Sequence, residues 1–366
     1  MNPAGNITLA FLGDLTLGCE FATYASRRAV RVPDLFQAVL PLINQADLRV
    51  INLEGPIGRA GTPRAGRGAV LWNEESVLEL LDRCRPCVVS LANNHTMDFG
   101  EPGLERTLRL LSKHGIDAVG AGADAAAANA GRRVQMKGSW VTFFSWTTDE
   151  PAVGSVLARA AEAGCGSFLD LERAEAQVRA ARAAGDFVCV LLHWGREFFE
   201  YPSPEQRHVA RRLVGAGAGL IVGHHAHVLQ GVERHGTGLI LYGVGNFFAP
   251  PLRHRNGRPR YQKPVERRFA LATIEVAAGC ATLAGMTGGR RGRDYVMRLD
   301  PGRGVEDEVM RLSGPLQCAD YDNFWDGYST RRQRQLRLER WLETPFRLGL
   351  VLSDRIVRSS TAAFLS

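Results

Sequence analysis

Leu220-Ile-Val-Gly-His-His-Ala-His227 sets a short apolar run against three histidines in four residues. A run of this length with a turn signal behind it predicts a buried strand. In α/β sheets, ligands gather beyond the carboxyl ends of such strands. The same grammar recurs through the chain. Residues 7–12 end in Gly13-Asp14, residues 48–51 in Asn52-Leu-Glu54, residues 88–91 in Ala92-Asn-Asn-His95, and residues 187–192 in His193-Trp-Gly. Five strand ends are thereby expected to converge on one edge of a sheet.

Outward from these strands, apolar runs at 118–120, 141–146, 228–233 and 239–242 predict further strands, and 269–276 and 280–286 two more. Amphipathic stretches at 35–44, 74–84, 102–114, 170–184 and 203–216 predict helices. Leu171, Ala174, Val178 and Ala181 share one helical face. Pro204 directly after Ser203 is a start signal. Alternating strands and helices imply an α/β fold with helices on the sheet faces, and the hairpin across Arg-His-Gly-Thr-Gly adds an antiparallel element. After about Gly288 the composition shifts to Arg and Asp. The expected division is a core at 1–288 and an Arg-rich, mainly helical extension at 289–366, with a helix at 331–342 and an apolar stretch at 346–357, docked on that core. Two basic loops, 55–72 and 251–263, follow chemically interesting residues, a placement that suits gripping a substrate.

The 366 residues are 45% hydrophobic and 23% charged, which excludes disordered and fibrous classes. The net charge of +7 comes almost entirely from arginine, since Lys113, Lys137 and Lys263 are the only lysines. A basic surface would attract an anionic polymer or phosphate; no nucleic-acid motif points to that class of partner. Seven cysteines at irregular spacing predict free thiols in a reducing compartment. Cys84-Arg-Pro-Cys87 lacks the second pair that a zinc knuckle needs and reads as structural. No stretch reaches 18 apolar residues, and the run at 7–12 is too short for a signal peptide. The expected location is cytoplasmic.

Each strand end alone has a plain reading. Gly13-Asp14 can be a turn, His193 a hydrogen-bonded strand-end group, Asn-Asn-His95 a turn closed on itself, and Asp98 a cap for the helix after Gly100. Together they point to a metal. Five of nine histidines lie in these segments, and His225 and His227, if locally extended, point the same way. Clustered imidazoles beside Asp14 and Glu54 suit Mn²⁺, Fe²⁺, Co²⁺ or Zn²⁺, and a more oxygen-rich shell Ca²⁺ or Mg²⁺.

These motifs, with Leu17-Gly18, Asn52-Leu-Glu-Gly-Pro56, Leu91-Ala-Asn-Asn-His-Thr-Met-Asp-Phe-Gly100, His193-Trp-Gly-Arg-Glu197, Gly223-His-His-Ala-His-Val-Leu-Gln230 and Tyr242-Gly-Val-Gly-Asn-Phe247, resemble the successive motifs of the CapA family. That family is a branch of the calcineurin-like metallophosphoesterases associated with poly-γ-glutamate capsule synthesis. The resemblance is collinear from about residue 7 to 248 and implies a four-layer α/β/β/α sandwich with metal at one edge. It implies Asp14 as first carboxylate ligand, Glu54 in the bridging position, Asn94 as amide ligand, and His193, His225 and His227 as imidazole ligands. His95 would assist the substrate. His224 competes with His225 for one slot, because the usual Gly-His-x-His holds an extra residue here. Asn52, Glu197 and Asn246 lie in the same motifs and stand as further candidates. Two departures are plain: Thr16 stands where phosphoesterases carry a histidine, and Glu54 where they carry aspartate. Capsule-synthesis members also typically begin with a membrane anchor, which residues 1–12 do not supply.

Two chemistries fit. A hydrolase would act on a phosphoester or an anionic, polyglutamate-like polyamide, with His95 protonating the leaving group. A peptide epimerase would use His95 with Asp98, and Asp14 with a motif-end histidine such as His227, to exchange a proton at an α-carbon. A non-catalytic accessory role in polymer assembly is the third reading. Oligomeric state is not legible.

Overall fold

The computed structural model describes residues 6–66, 69–250, 264–291, 294–300 and 302–342. The basic stretch 251–263 and the apolar stretch 346–357 lie outside the described residues. The strands are β1 (Thr8–Leu15), β2 (Leu48–Leu53), β3 (Cys87–Ser90), β4 (Asp117–Val119), β5 (Ala121–Gly122), β6 (Arg132–Met136), β7 (Ser139–Thr147), β8 (Gly164–Cys165), β9 (Phe187–His193), β10 (Leu220–His224), β11 (Val232–His235), β12 (Gly238–Leu241), β13 (Arg268–Glu275), β14 (Cys280–Arg291) and β15 (Asp294–Leu299). The helices are α1 (Cys19–Arg28), α2 (Val32–Phe36), α3 (Leu40–Ile43), α4 (Val77–Arg83), α5 (Gly100–Lys113), α6 (Ala125–Asn129), α7 (Leu171–Ala183), α8 (Pro204–Gly215), α9 (Gly304–Ser313) and α10 (Tyr321–Leu342).

Two sheets carry the fold. One runs β15-β14-β13-β1-β2-β3-β4, the other β11-β12-β10-β9-β7-β6. β1 to β4 pair in parallel, as do β7, β9, β10 and β12, so the centres of both sheets point their carboxyl ends one way within each sheet. Strand periodicity of two builds the layers. Leu9 and Phe11 of β1 and Leu48 and Val50 of β2 pack against Val141, Phe143, Leu191, Leu220 and Val222 of the other sheet. Ala10, Leu12, Ile51 and Leu53 face the opposite way, onto Phe21, Phe36, Leu80, Leu81, Leu104 and Leu111 of α1, α2, α4 and α5. On the far side, α7 packs on β9, and α8 on β10 and β12, burying Ala174, Val178, Ala210 and Leu213. The result is the four-layer α/β/β/α sandwich that the resemblance implies.

Local chemistry accounts for most helix ends. Asp170 caps α7 by accepting from the Arg173 N–H. Ser203 and Gln206 form a reciprocal capping box at α8, with Pro204 in its first turn. The stretch 35–44 is two short helices rather than one. Pro41 sits in the first turn of α3, and a proline, having no N–H, cannot continue the ladder of a preceding helix. The strand expected at 228–233 starts only at Val232; before it, Leu229 makes a single bridge to Val244 and the Gln230 side chain donates to the Phe199 carbonyl.

The expected boundary at 288 falls inside β14, where Gly288 pairs with Met297 of β15. The chain divides instead into Met1–Gln317 and Cys318–Ser366. The Gly/Thr/Arg run ending β14 conceals its alternation, and α9 belongs with the first unit because Val305, Val309 and Leu312 pack on Leu229 and Ala270. In the second unit, α10 contains the expected 331–342 helix. Among the described residues, no helix is long and apolar enough to cross a membrane. Cys84 and Cys87 are buried, and burial pushes both thiols up to about 12. They are protonated at neutral pH, which suits their structural reading.

One buried carboxylate ties the β6 edge to β9. Asp186 accepts from Nε and Nη2 of Arg133 at 2.8 Å each and from the Thr142 hydroxyl at 2.7 Å. The Arg133 hydrogen bonds, against the opposing effect of burial, hold its carboxyl below the usual range. An acid whose folded pKa is depressed lends stability above its unfolded value, about 3.9, and loses it as pH falls through the lower folded one. Asp186→Asn should therefore lower the melting temperature at neutral pH, with the gap to wild type closing as the pH falls through the depressed folded pKa; thermal unfolding across pH 2–7 checks this.

Candidate functional site

β1 does not run straight into the site. Its register with β2 slips by one residue between Leu12 and Asp14: Leu12 pairs with Ile51, yet Asp14 pairs with Asn52. Strict alternation would leave Asp14 on the helix side with Leu12. The extra residue, Gly13, turns it to the inter-sheet side instead. Gly13 is required because a Cβ there would lie 2.0 Å from the Gly245 carbonyl oxygen. Beyond the bulge, β1 is held by the 243–248 segment through Asp14 N to Gly245 O and Phe248 N to Asp14 O.

Asp14 is fully buried and sits at the meeting of the two sheets. Its Oδ1 accepts from Asn52 Nδ2 at 2.7 Å and lies 3.1 Å from His224 Nδ1. Its Oδ2 accepts from the His225 backbone N–H at 3.2 Å and lies 3.2 Å from His227 Nδ1. Burial would raise this carboxyl, but hydrogen bonds and positive charge from His224 and His227 outweigh it and hold the group well below its ordinary value. Glu54, from just past β2, is buried beside it. Glu54 Oε1 lies 3.8 Å from His227 Nε2 and has no hydrogen-bond partner among the described residues. Burial raises the Glu54 carboxyl, and the nearby Asp14 adds to this against the pull of His227. One ligand atom from each of Asp14, Glu54 and His227 lies within 4.8 Å of the others.

A second group of atoms adjoins the first. His193 Nε2 lies 3.0 Å from Asn94 Oδ1 and 3.1 Å from His225 Nδ1, while Asn52 Nδ2 is 3.5 Å from His193 Nδ1. His225 Nε2 is anchored on the Ala152 carbonyl at 3.1 Å. Burial lowers both imidazoles, His193 well below its ordinary value and His225 to about 4, the latter against the pull of Glu197. His227 goes the other way, to about 10, because Glu54 and Asp14 outweigh the effect of burial. Asn246 Oδ1 holds His227 Nδ1 at 2.8 Å, and Asn246 Nδ2 is itself fixed on the Glu266 carbonyl.

The histidine segment is not extended. His224 ends β10, and His225 and His227 both adopt the left-handed region, with φ of 86° and 57°. Non-glycine residues occupy that region at a cost of about 1–3 kcal/mol each. The i, i+2 argument thus fails locally, although the two rings still lie 5.9 Å apart. Both His224 and His225 enter the site: His224 on Asp14, His225 on His193. Gly223, just before these histidines, lets the Tyr242 segment approach closely, since a Cβ there would lie 1.8 Å from the Tyr242 carbonyl oxygen.

The Asn93-Asn94-His95 segment is a turn closed on itself: Asn93 Oδ1 accepts from His95 N and Thr96 Oγ1. It also aims chemistry. Asn94 faces His193, and His95 Nδ1 pairs with Asp98 Oδ2 at 2.6 Å. Asp98 does not cap α5; its Oδ2 also accepts from the Leu71 N–H at 2.7 Å. Thr16, where a histidine was expected from the resemblance, donates to the Glu54 carbonyl. Glu197 is exposed, and its charge still bears on His225.

Two positioning groups escape sequence reading. Buried Asn73 accepts from Leu17 N and donates to the Glu54 and Gly55 carbonyls, fixing the backbone at Glu54. The Ala152 carbonyl holds His225. A lone Asn after a Gly/Arg loop, or a main-chain oxygen, leaves no pattern to read.

These features define an α/β/β/α sandwich protein with acidic, amide and imidazole side chains gathered at its carboxyl edge. The model of the bacterial capsule synthesis protein PGA_cap family matches residues 8–250, and the chain belongs to that family. The PGA biosynthesis protein CapA of Bacillus subtilis is 30% identical over 244 residues, covering 66% of this chain and 63% of its own. The capsule biosynthesis protein CapA of Bacillus anthracis is 28% identical, covering 66% and 59%. A probable polyglutamine synthesis accessory protein of Mycobacterium tuberculosis is 32% identical, covering 57% and 58%. The chain thus spans about six-tenths of the length of these relatives. A putative 5'-nucleotidase structure from Staphylococcus aureus matches at TM-score 0.41 and 12% identity, over 84% of this chain and 58% of that one, too distant to bear on function.

Two buried carboxylates and an unpartnered acceptor favour a cation between them. A divalent ion at a hundredfold excess over its Kd should stabilise the metal-free protein by about 2.7 kcal/mol. Glu54→Gln should lose most of that response in thermal-shift titrations with Mn²⁺ and Zn²⁺.

Proposed function

We propose that this chain is a metal-dependent hydrolase that cleaves a phosphoester or an acidic, polyglutamate-like polyamide. The observation that carries this reading is the buried, unpartnered Glu54 Oε1 beside Asp14 and His227. A buried acceptor left unmatched is costly, and carboxylate with imidazole is a donor set for borderline divalent ions. Asp14, Glu54 and His227 would hold one ion. Asn94, His193 and His225 offer an adjoining set. Such an ion supplies a nucleophile from water at neutral pH and polarises the oxygen under attack.

The protein's own groups do the rest. Asp98, held by the Leu71 N–H, accepts the His95 Nδ1 proton and so fixes the ring's orientation. His95 Nε2 is then the atom that delivers a proton to the leaving oxygen or nitrogen. His193 and His225, kept neutral by burial, keep their lone pairs available as ligands. A polyamide substrate is suggested by the relatives named for PGA, capsule and polyglutamine synthesis, and its acidic character by this chain's net charge of +7. Proton exchange at a peptide α-carbon is the rival chemistry. It needs a second acid/base group opposite His95, and Asp14 and His227 are engaged with each other instead.

His95→Ala should lower kcat on a phosphodiester or γ-glutamyl amide by about 10²–10⁴-fold while keeping the metal-induced rise in melting temperature. Asp98→Asn should cost less, because it only misorients the ring. Deuterium uptake at a peptide α-carbon in D₂O without bond cleavage would replace hydrolysis with epimerisation. A His95→Ala protein indistinguishable from wild type in turnover would remove the catalytic role.

A further inference from the structure

Between α1 and the Gly/Arg/Pro-rich loop lies a cavity of about 710 Å³ that contains none of the residues assigned above. Its walls come from three places. Leu17 and Cys19 follow the end of β1, Arg27 comes from α1, and Arg59 and Trp72 come from the Gly/Arg/Pro-rich loop. The same wall segments hold the reactive centre. Leu17 N donates to Asn73, which fixes the Glu54 carbonyl, and Leu71, next to Trp72, donates to Asp98. Two wall segments are thus hydrogen-bonded to the chain that carries Glu54 and to Asp98.

Its charges are unbalanced. Of the acids in the wall, Glu75 pairs with Arg106, while Glu74, which accepts only the neutral Trp72 Nε1–H, keeps its charge, so the two arginines leave a surplus of one positive charge. Arg27 and Arg59 are exposed and make no ion pair among the described residues. Arg59 lies over the Trp72 ring at 5.1 Å, an arrangement that leaves its guanidinium edge open to an acceptor. The volume falls within the range of ligand sites. A wall with two uncommitted guanidinium groups and an indole face suits a chain with a carboxylate on each residue and an amide backbone that can lie along a flat ring.

We infer that this cavity is a binding subsite for the acidic peptide chain, seating two of its carboxylates on Arg27 and Arg59. The inference rests on the proposed reading of the site for its substrate class. Its location, however, can be tested without turnover or metal.

Cys19 provides the probe, since its half-exposed thiol lines the cavity while Cys280 and Cys318 are exposed elsewhere. Iodoacetamide labelling of the metal-free chain, read peptide by peptide by mass spectrometry, should slow at Cys19 and stay constant at Cys280 and Cys318 when a γ-linked glutamate oligomer is added. Arg27→Ala with Arg59→Ala should weaken the protecting oligomer by about fivefold, as expected for two exposed charge pairs. Glu54→Gln should leave protection intact, which separates this subsite from the metal reading: lost metal response with retained protection sinks only the latter. Binding without Cys19 protection, no binding at all, or protection undiminished by loss of both arginines would overturn the subsite.

Discussion

The buried Asp14 carboxylate is where the two sheets are tied at their functional edge. It takes a hydrogen bond from Asn52 within its own sheet and contacts His224, the His225 backbone and His227 from the other. None of this is available without the bulge at Gly13, which turns Asp14 from the helix side to the inter-sheet side. The close approach of the Gly245 carbonyl makes that bulge depend on a residue with no side chain. The fold's twofold periodicity thus sets where the core lies, and a single break in it sets where the chemistry lies.

The layered architecture was legible because strand ends announce themselves. Apolar runs at β1, β2, β3, β9 and β10 each stop at polar residues, and the structure brings Asp14, Asn52, Glu54, Asn94, His193, His224, His225, His227 and Asn246 together. Less was legible where side chains carry no pattern. α1 turns only a short stripe of Phe21, Tyr24 and Ala25 to the core, and all five residues of β6 are exposed or half-exposed, with Arg132 and Arg133 adjacent. The left-handed turn at His225 and His227 was hidden as well, since histidine gives no warning of positive φ. Asn73 acts on main-chain groups and Ala152 through one, which sequence spacing cannot display.

The electrostatics of the site follow one physical theme. Negative charge is concentrated and buried at Asp14 and Glu54, and histidines of opposed tendencies surround it. His227 is pulled toward its charged form by the carboxylates, whereas His193 and His225 are held neutral by burial. Such a division suits a centre in which one imidazole balances charge until a cation takes over, and others wait with free lone pairs.

The central claim is that these strand-end groups surround a common cation. Elemental analysis of protein loaded with Mn²⁺ or Zn²⁺ and then desalted tests it most directly. The account predicts at least about one tightly held equivalent per chain in the wild type and near none after Asp14→Asn together with His227→Ala. A wild-type chain that retains no more metal than this double variant, while remaining folded, would contradict it.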